Sequence, residues 1–497
     1  MLRMTNLQKI KLRKEPNLAY KFNAFTFQSE AVQAIKDLEY GAIFHEQGLG
    51  KTKIAIDLMI YWLQNKLVDT VLFIVKKNLV NNWQNEFKEH TYLKPKVLSQ
   101  NKLNNYYVFN SPSRVIITHY EVFKSDFRRF ELFLHSRNVA VILDESTKIK
   151  NPESKLTQAL QRLSPLFKKR IIMTGTPIPN RPYDLWAQIY FLDNGKSLGT
   201  DFISFKLKHD LSNDMYLSEE KKIEFEENIK KIYPKISKFT VRETKGSGII
   251  KLPQKIIQNI ITGWESNQEE LYEQYRKELK AIIVDNGVPL EDNAEEILKR
   301  LLRLIQLSSN PNIIDQNYRF LPGKFPYLLD IIEQCQEKKE KCIIWSSFIK
   351  NVDWLNSQLK HLGSVKIHGE IPLKQRNNVI SSFLKDNEVK ILISTPGVAK
   401  EGLTLTIANN VIFFDRMYSL DDYLQAQDRI HRISQIKTCF VYNLIMENSI
   451  DEWIDQLLKC KHLSAQLVQN DISNNEFKKN ISYDFGYIIK KILNIDE

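Results

Sequence analysis

Glu46-Gln47-Gly48-Leu49-Gly50-Lys51-Thr52 decides the reading of this chain, because its flanks complete a strand–turn–helix unit. Ala42, Ile43 and Phe44 form an apolar run before it, and Ile54, Ala55, Leu58, Met59, Trp62 and Leu63 recur at helical spacing after it. A glycine turn between a strand and a helix N-terminus aims backbone N–H groups and the positive end of the helix dipole at a polyphosphate. In such a loop Gly48, Leu49 and Gly50 form the backbone cradle, Lys51 reaches the β- and γ-phosphates, and the Thr52 hydroxyl holds Mg²⁺. The full pattern has a glycine three places before Gly48, where this chain has His45, so the loop needs support from elsewhere.

Outward from the loop, short branched apolar runs alternate with helical patterns. In the first half they are Val71–Val75, Val115–Thr118, Val139–Leu143 and Arg170–Met173. In the second half they are Cys342–Trp345, Val365–Ile367, Lys390–Ser394, Val411–Phe414 and Cys439–Leu444. Continuous apolar strands separated by helices indicate parallel sheets covered on both faces, and two such sets imply two α/β domains. Between them, about Asn194 to Pro311, Lys, Glu, Leu and Ile recur at helical spacing, with one extended break at Gly246 to Pro253. This region reads as helical insertions carried by the two domains.

The length of 497 residues exceeds what one core organises, and about three domains is the usual expectation. With 43% hydrophobic and 26% charged residues the composition is that of a globular protein. The net charge of +12 fits either a lysine-rich surface or a footprint for a polyanion such as nucleic acid. Cys335, Cys342, Cys439 and Cys460 contain no C-x-x-C pair, which argues against zinc and for reduced thiols. The apolar runs are too short to span a bilayer and the first residues lack a signal-peptide core, so a cytoplasmic location is expected.

Three further stretches support the loop. Val139–Leu143 ends in Asp144 and Glu145, the placement of an Mg²⁺-binding Asp and a water-orienting Glu at the carboxyl end of a parallel strand. Thr174-Gly175-Thr176-Pro177 follows another apolar strand and suits a hydroxyl-rich relay. In the run Gln425 to Gln435, Arg429 and Arg432 are three apart and would share one face of a helix, as a pair able to stabilise charge on a transferring phosphoryl group. Taken singly, Thr174–Pro177 also reads as an ordinary loop, and the arginine run reads better as a solvent-exposed basic helix.

In this order, the motifs resemble those of the Swi/Snf-related DNA translocases, a branch of the superfamily-two helicase-like ATPases. The resemblance runs from about Phe25 to about Trp453. Phe27-Gln28 resembles the opening element whose glutamine reads adenine. Leu79 to Phe87 matches motif Ia, Val115 to Glu121 motif Ib, and Asp144 to Asn151 motif II. Val241-Arg242-Glu243-Thr244-Lys245 with Leu252-Pro253 resembles the close of the first lobe. Ile343 to Phe348, then Ser394-Thr395 with Glu401 to Leu405, then Gln425 to Gln435, resemble motifs IV, V and VI. Thr147 stands where motif II usually has His, and Ser434 where glycine is usual, which bears on coupling and removes no catalytic group.

The resemblance implies two RecA-like lobes with parallel sheets, each carrying a helical insertion, and an ATP cleft between them. It places lobe 1 at 1–255 with an insertion at about 194–240, an insertion and linker at 256–312, lobe 2 at 313–455, and a C-terminal helical tail at 456–497. It further implies ATP and Mg²⁺ as cofactors, with adenine and phosphate contacts from Gln28, the loop and Gly402. Lys51, Asp144, Glu145, Arg429 and Arg432 would be catalytic, with Thr174, Gly175, Thr176 and Gln425 in coupling. Thr118, Lys150 and Thr395 would grip phosphates of duplex DNA, the implied partner. A strand-separating DNA or RNA helicase is the rival enzyme, although simple RNA helicases have little between the positions of Thr176 and Trp345. A nucleotide-switched DNA-binding scaffold is the rival outside catalysis.

Overall fold

The computed structural model describes residues 15–249, 251–285, 294–399, 404–432 and 434–492. The chain divides into two units, the first made of Met1–Asp210, Phe225–Ile250 and Ala465–Asp471, the second of Leu211–Glu224, Lys251–Ser464 and Ile472–Glu497.

In the first unit the strands are β1 (Tyr40–Ile43), β2 (Thr70–Val75), β3 (Lys96–Val97), β4 (Val115–His119), β5 (Val139–Asp144), β6 (Lys169–Met173) and β7 (Thr240–Val241). Among the described residues they form one sheet in the order β3-β4-β2-β5-β6-β1-β7, with every pairing parallel. β2, β4 and β5 are buried at every position, as the unbroken apolar runs require of strands covered on both faces. The helix Lys51–Gln64 buries Ile54, Ala55, Leu58, Met59, Trp62 and Leu63 in this core.

The second unit contains β8 (Lys255–Thr262), β9 (Lys341–Trp345), β10 (Ser364–Ile367), β11 (Ile391–Ser394), β12 (Ala408–Phe413) and β13 (Cys439–Met446). Their order is β10-β11-β9-β12-β13-β8, again all parallel. Alternate residues serve opposite faces. Cys342, Ile344, Ile391, Ile393 and Ile412 enter one core, and Ile343, Trp345, Leu392, Val411 and Phe413 the other. Two parallel sheets with helices on both faces are the expected α/β architecture.

One expectation changes. Lys255–Thr262, assigned from its composition to a helical stretch, is the edge strand β8, paired along its whole length with β13. Its isoleucines come as doublets, Ile256-Ile257 and Ile260-Ile261, which mimic helical spacing. Burial resolves them, because Ile260 packs on the core while Ile257 and Ile261 are exposed. The β-branched content was the signal for a strand. The C-terminal region is helical and also packed. Phe477, Phe485, Ile489 and Ile492 are buried, and Gly486 lies so close to the Asn213 carbonyl that a Cβ would collide with it. The helices Ser266–Asp285 and Ala294–Ser309 are where helix is expected.

Candidate nucleotide site

The loop leaves β1 at Phe44 and turns through Gly48 and Gly50, at φ +86° and +73°. That region is open to glycine and strained for other residues. A Cβ at Gly50 would also lie 2.2 Å from the Gln28 amide nitrogen and would displace that side chain. That amide donates to the Leu49 carbonyl at 3.2 Å, and its oxygen accepts from the Phe25 N–H at 3.1 Å. Gln28 is thus built into the loop. Lys51 is buried, and its ammonium donates to the carbonyls of His45 at 2.9 Å and Glu46 at 3.2 Å. Thr52, half-buried, stands in the first turn of the helix Lys51–Gln64.

Sheet order brings the acids to this loop. β6 lies between β1 and β5, pairing Ile43 with Met173 and Asp144 with the same Met173, so three carboxyl ends meet. Asp144 is buried and accepts the Trp83 indole N–H at 2.8 Å. Burial first, and then the Glu145 charge, push its carboxyl up to about 6, while Trp83, Lys76 and Lys51 pull the other way. Glu145, at φ +51°, accepts from the Thr174 hydroxyl at 3.3 Å and the Gln47 amide at 3.4 Å. The glycine loop, the acid pair and Thr174 therefore form one connected group. At Gly175 a Cβ would approach the Gln47 side chain at 2.8 Å, so any larger residue there would displace Gln47, and the Thr176 N–H donates to the Thr174 hydroxyl at 3.3 Å.

A second path leaves the acids. The Ser146 hydroxyl donates to Gln188 at 2.7 Å, and the Gln188 amide donates to the Pro177 carbonyl at 2.7 Å, linking the segment after Glu145 to the segment after Thr176. Gln47 and Gln188 carried no signal in sequence. Trp83 lies within motif Ia, but its bond to Asp144 is visible only in the fold.

In the second unit the helix Leu420–Gln427 ends before the arginines, so Arg429 and Arg432 sit in the following turn and not on one helical face. Each bonds back to the carbonyl four residues earlier, Arg429 to Gln425 at 3.0 Å and Arg432 to Asp428 at 2.9 Å. Arg432 also donates to the Thr404 hydroxyl at 2.9 Å. Gln425 is fully buried and donates to Asp421 at 2.7 Å. Gly402 lies outside the described residues, as do Glu401 and Leu403.

The three expected phosphate-gripping residues part company. Thr395 lines a cavity of about 500 Å³ at the carboxyl ends of β9, β11 and β12, with Ser347, Gly397, Asp415 and Arg416. Lys150 is partly exposed and faces Asp184 at 3.4 Å. Thr118 is fully buried in β4, and its hydroxyl has no partner among the described residues. Its side chain faces the interior, so the motif Ib assignment fails for the hydroxyl in this conformation.

The SNF2-related domain, as a family profile, matches residues 27–313. The chain belongs to this family. The helicase conserved C-terminal domain follows at residues 323–434. An uncharacterized ATP-dependent helicase of Mycoplasma genitalium is 29% identical over 93% of this chain and 44% of its own length. The ISWI chromatin-remodeling complex ATPase ISW2 of Saccharomyces cerevisiae is 26% identical over 86% of this chain and 39% of its own. The chain thus spans less than half the length of these relatives. Among solved structures, the Sulfolobus solfataricus SWI2/SNF2 ATPase core in complex with dsDNA is 26% identical, with a TM-score of 0.41, covering 94% of this chain and 99% of that one. Among the described residues no helix is long and apolar enough to cross a membrane.

Proposed function

We propose that this SNF2-related chain hydrolyses ATP and uses the cycle to move along double-stranded DNA. The observation that carries the reading is the bond from Gln47 of the phosphate loop to Glu145, with Asp144 beside it in the field of Lys51. Lys51 and the loop N–H groups bind the phosphates, and Glu145 orients the attacking water. Arg429 and Arg432 add positive charge to the transferring phosphoryl group from the second lobe. Asp144 and Thr52 offer hard oxygen donors, the set that suits Mg²⁺ with water and substrate phosphate completing its shell. The crowding of Asp144 against Glu145 favours a divalent cation there. When bound, Mg²⁺ neutralises charge on the β- and γ-phosphates.

Lys150 and Thr395 are the DNA-phosphate contacts retained in this proposal. The net charge of +12 suits such sequence-independent binding. Lys51→Ala should abolish DNA-stimulated hydrolysis while DNA binding persists. Hydrolysis at the parental rate in that variant would refute the assignment. Comparing stimulation by duplex DNA, single-stranded DNA and RNA tests the substrate. Displacement of a third strand without unwinding separates a translocase from a helicase.

A further inference from the structure

We infer that Arg242 and Asp471 act as positioning residues of the nucleotide site, fixing the backbone from which the phosphate-binding loop departs. The inference rests on the ATPase reading and adds to it two residues outside every phosphate-binding motif. The Arg242 guanidinium pairs with the Asp471 carboxylate through two nitrogens, Nε donating at 2.6 Å and Nη2 donating to the second oxygen. The remaining nitrogen, Nη1, donates to the Phe44 carbonyl at 2.5 Å. Nη2 also lies 4.0 Å from Glu46. Both side chains of the pair are one-tenth exposed.

This geometry has a direction. A bidentate carboxylate locks a planar guanidinium, and here the locked fork leaves one donor aimed at a backbone oxygen. Phe44 is followed by His45 and Glu46, whose carbonyls accept from Lys51. The same short segment is held along β7 by Phe44 N–H to the Val241 carbonyl and Glu46 N–H to the Glu243 carbonyl, each at 2.9 Å. The Lys245 N–H adds a bond to the Glu46 carboxylate at 2.8 Å. Backbone bonds fix the strand end, and Arg242 fixes the carbonyl next to the residues that hold the Lys51 ammonium. Asp471 orients Arg242. The segment Ala465–Asp471 clusters with the first unit although the helix Ile450–Val468 that leads into it begins in the second. A residue near the C-terminus therefore takes part in the geometry of a loop near the N-terminus.

The test uses the full chain, with ATP titrations at saturating duplex DNA, titration of a fluorescent ADP analogue, and thermal unfolding. Asp471→Asn removes the charge and keeps the shape. Arg242→Lys keeps the charge and loses the fork. Each should raise KM for ATP and Kd for the analogue about tenfold, with a smaller change in kcat. Because the two residues act as one unit, combining the substitutions should add little to either alone. If one variant fails to fold, the other carries the same expectation. A purely structural role would lower the unfolding temperature and leave KM and Kd at parental values, and that result, or strictly additive effects, overturns the inference. A parent that neither turns over nor binds nucleotide would defeat the ATPase reading itself. Parental turnover with unchanged KM and Kd in the variants defeats only this inference.

Discussion

Trp83 does two things with one side chain. Its ring packs against Phe73 and Phe87 in the core, and its N–H reaches Asp144. Trp83→Phe keeps most of the packing and removes the donor, leaving a buried carboxylate with one partner fewer. The expected result is a fall of about tenfold in ATP turnover, the scale found when a supporting contact to a ligand carboxylate is lost, with the circular-dichroism spectrum unchanged. His45 gives a second prediction at this scale. Burial first, then the Lys51 charge, lower its pKa to about 4 from 6.5. The unfolded chain then binds more protons than the folded one between those values, so stability is full above about pH 6.5 and declines toward pH 4. Each tenfold weakening of proton affinity is worth about 1.4 kcal/mol, which brings the loss to roughly 3 kcal/mol. In His45→Asn, denaturant midpoints should lose that part of their pH dependence.

At the scale of elements, a buried charge pair, Lys324 with Asp451, ties segments of the second unit together. Lys324, fully buried in the first turn of the helix Lys324–Glu337, lies 2.5 Å from Asp451 and donates to the Phe414 carbonyl at 3.1 Å. Asp451 also accepts from the Ser308 hydroxyl and the Met446 N–H, each at 3.0 Å. Removing one partner strands the other charge in the interior. Lys324→Met should therefore cost about 3–5 kcal/mol, read as a drop in the denaturant midpoint. This is also the scale at which sequence reading was uneven. The apolar runs behind β2, β5, β9 and β12 were legible because strands covered on both faces must be continuously hydrophobic. β8 was hidden because an edge strand with one exposed face can carry its isoleucines in doublets. The arginine turn was hidden for a related reason. Spacing of three suits a helix, but the helix stops at Gln427 and the arginine side chains bond back to the carbonyls of Gln425 and Asp428.

At the scale of the molecule, two parallel α/β units and a charge of +12 suit a motor that holds a polyanion by its backbone. Duplex affinity should fall steeply with salt, on the order of 10³-fold from 50 to 200 mM if about six phosphates are engaged. Scrambled duplexes should bind equally well. Affinity that ignores salt, or depends on sequence, would count against the translocase reading.

What the sequence determined by itself is local: the glycine loop, the apolar strands and the residues at their carboxyl ends, all written in short-range pattern. Lys51, Asp144 and Glu145 could be named because each sits at a fixed offset from a strand. What only the tertiary structure decided is which of those ends meet. β1 lies beside β6 and not β2, so Gln47 reaches Glu145; β2 lies beside β5, so Trp83 reaches Asp144; and β7 lies beside β1, so Arg242, paired with Asp471, reaches Phe44. Thr118 is buried because β4 is covered on both faces, as its continuous apolar run implies, and the fold adds that its hydroxyl finds no partner among the described residues. Strand order is set by the packing of the whole sheet, and no local periodicity records it.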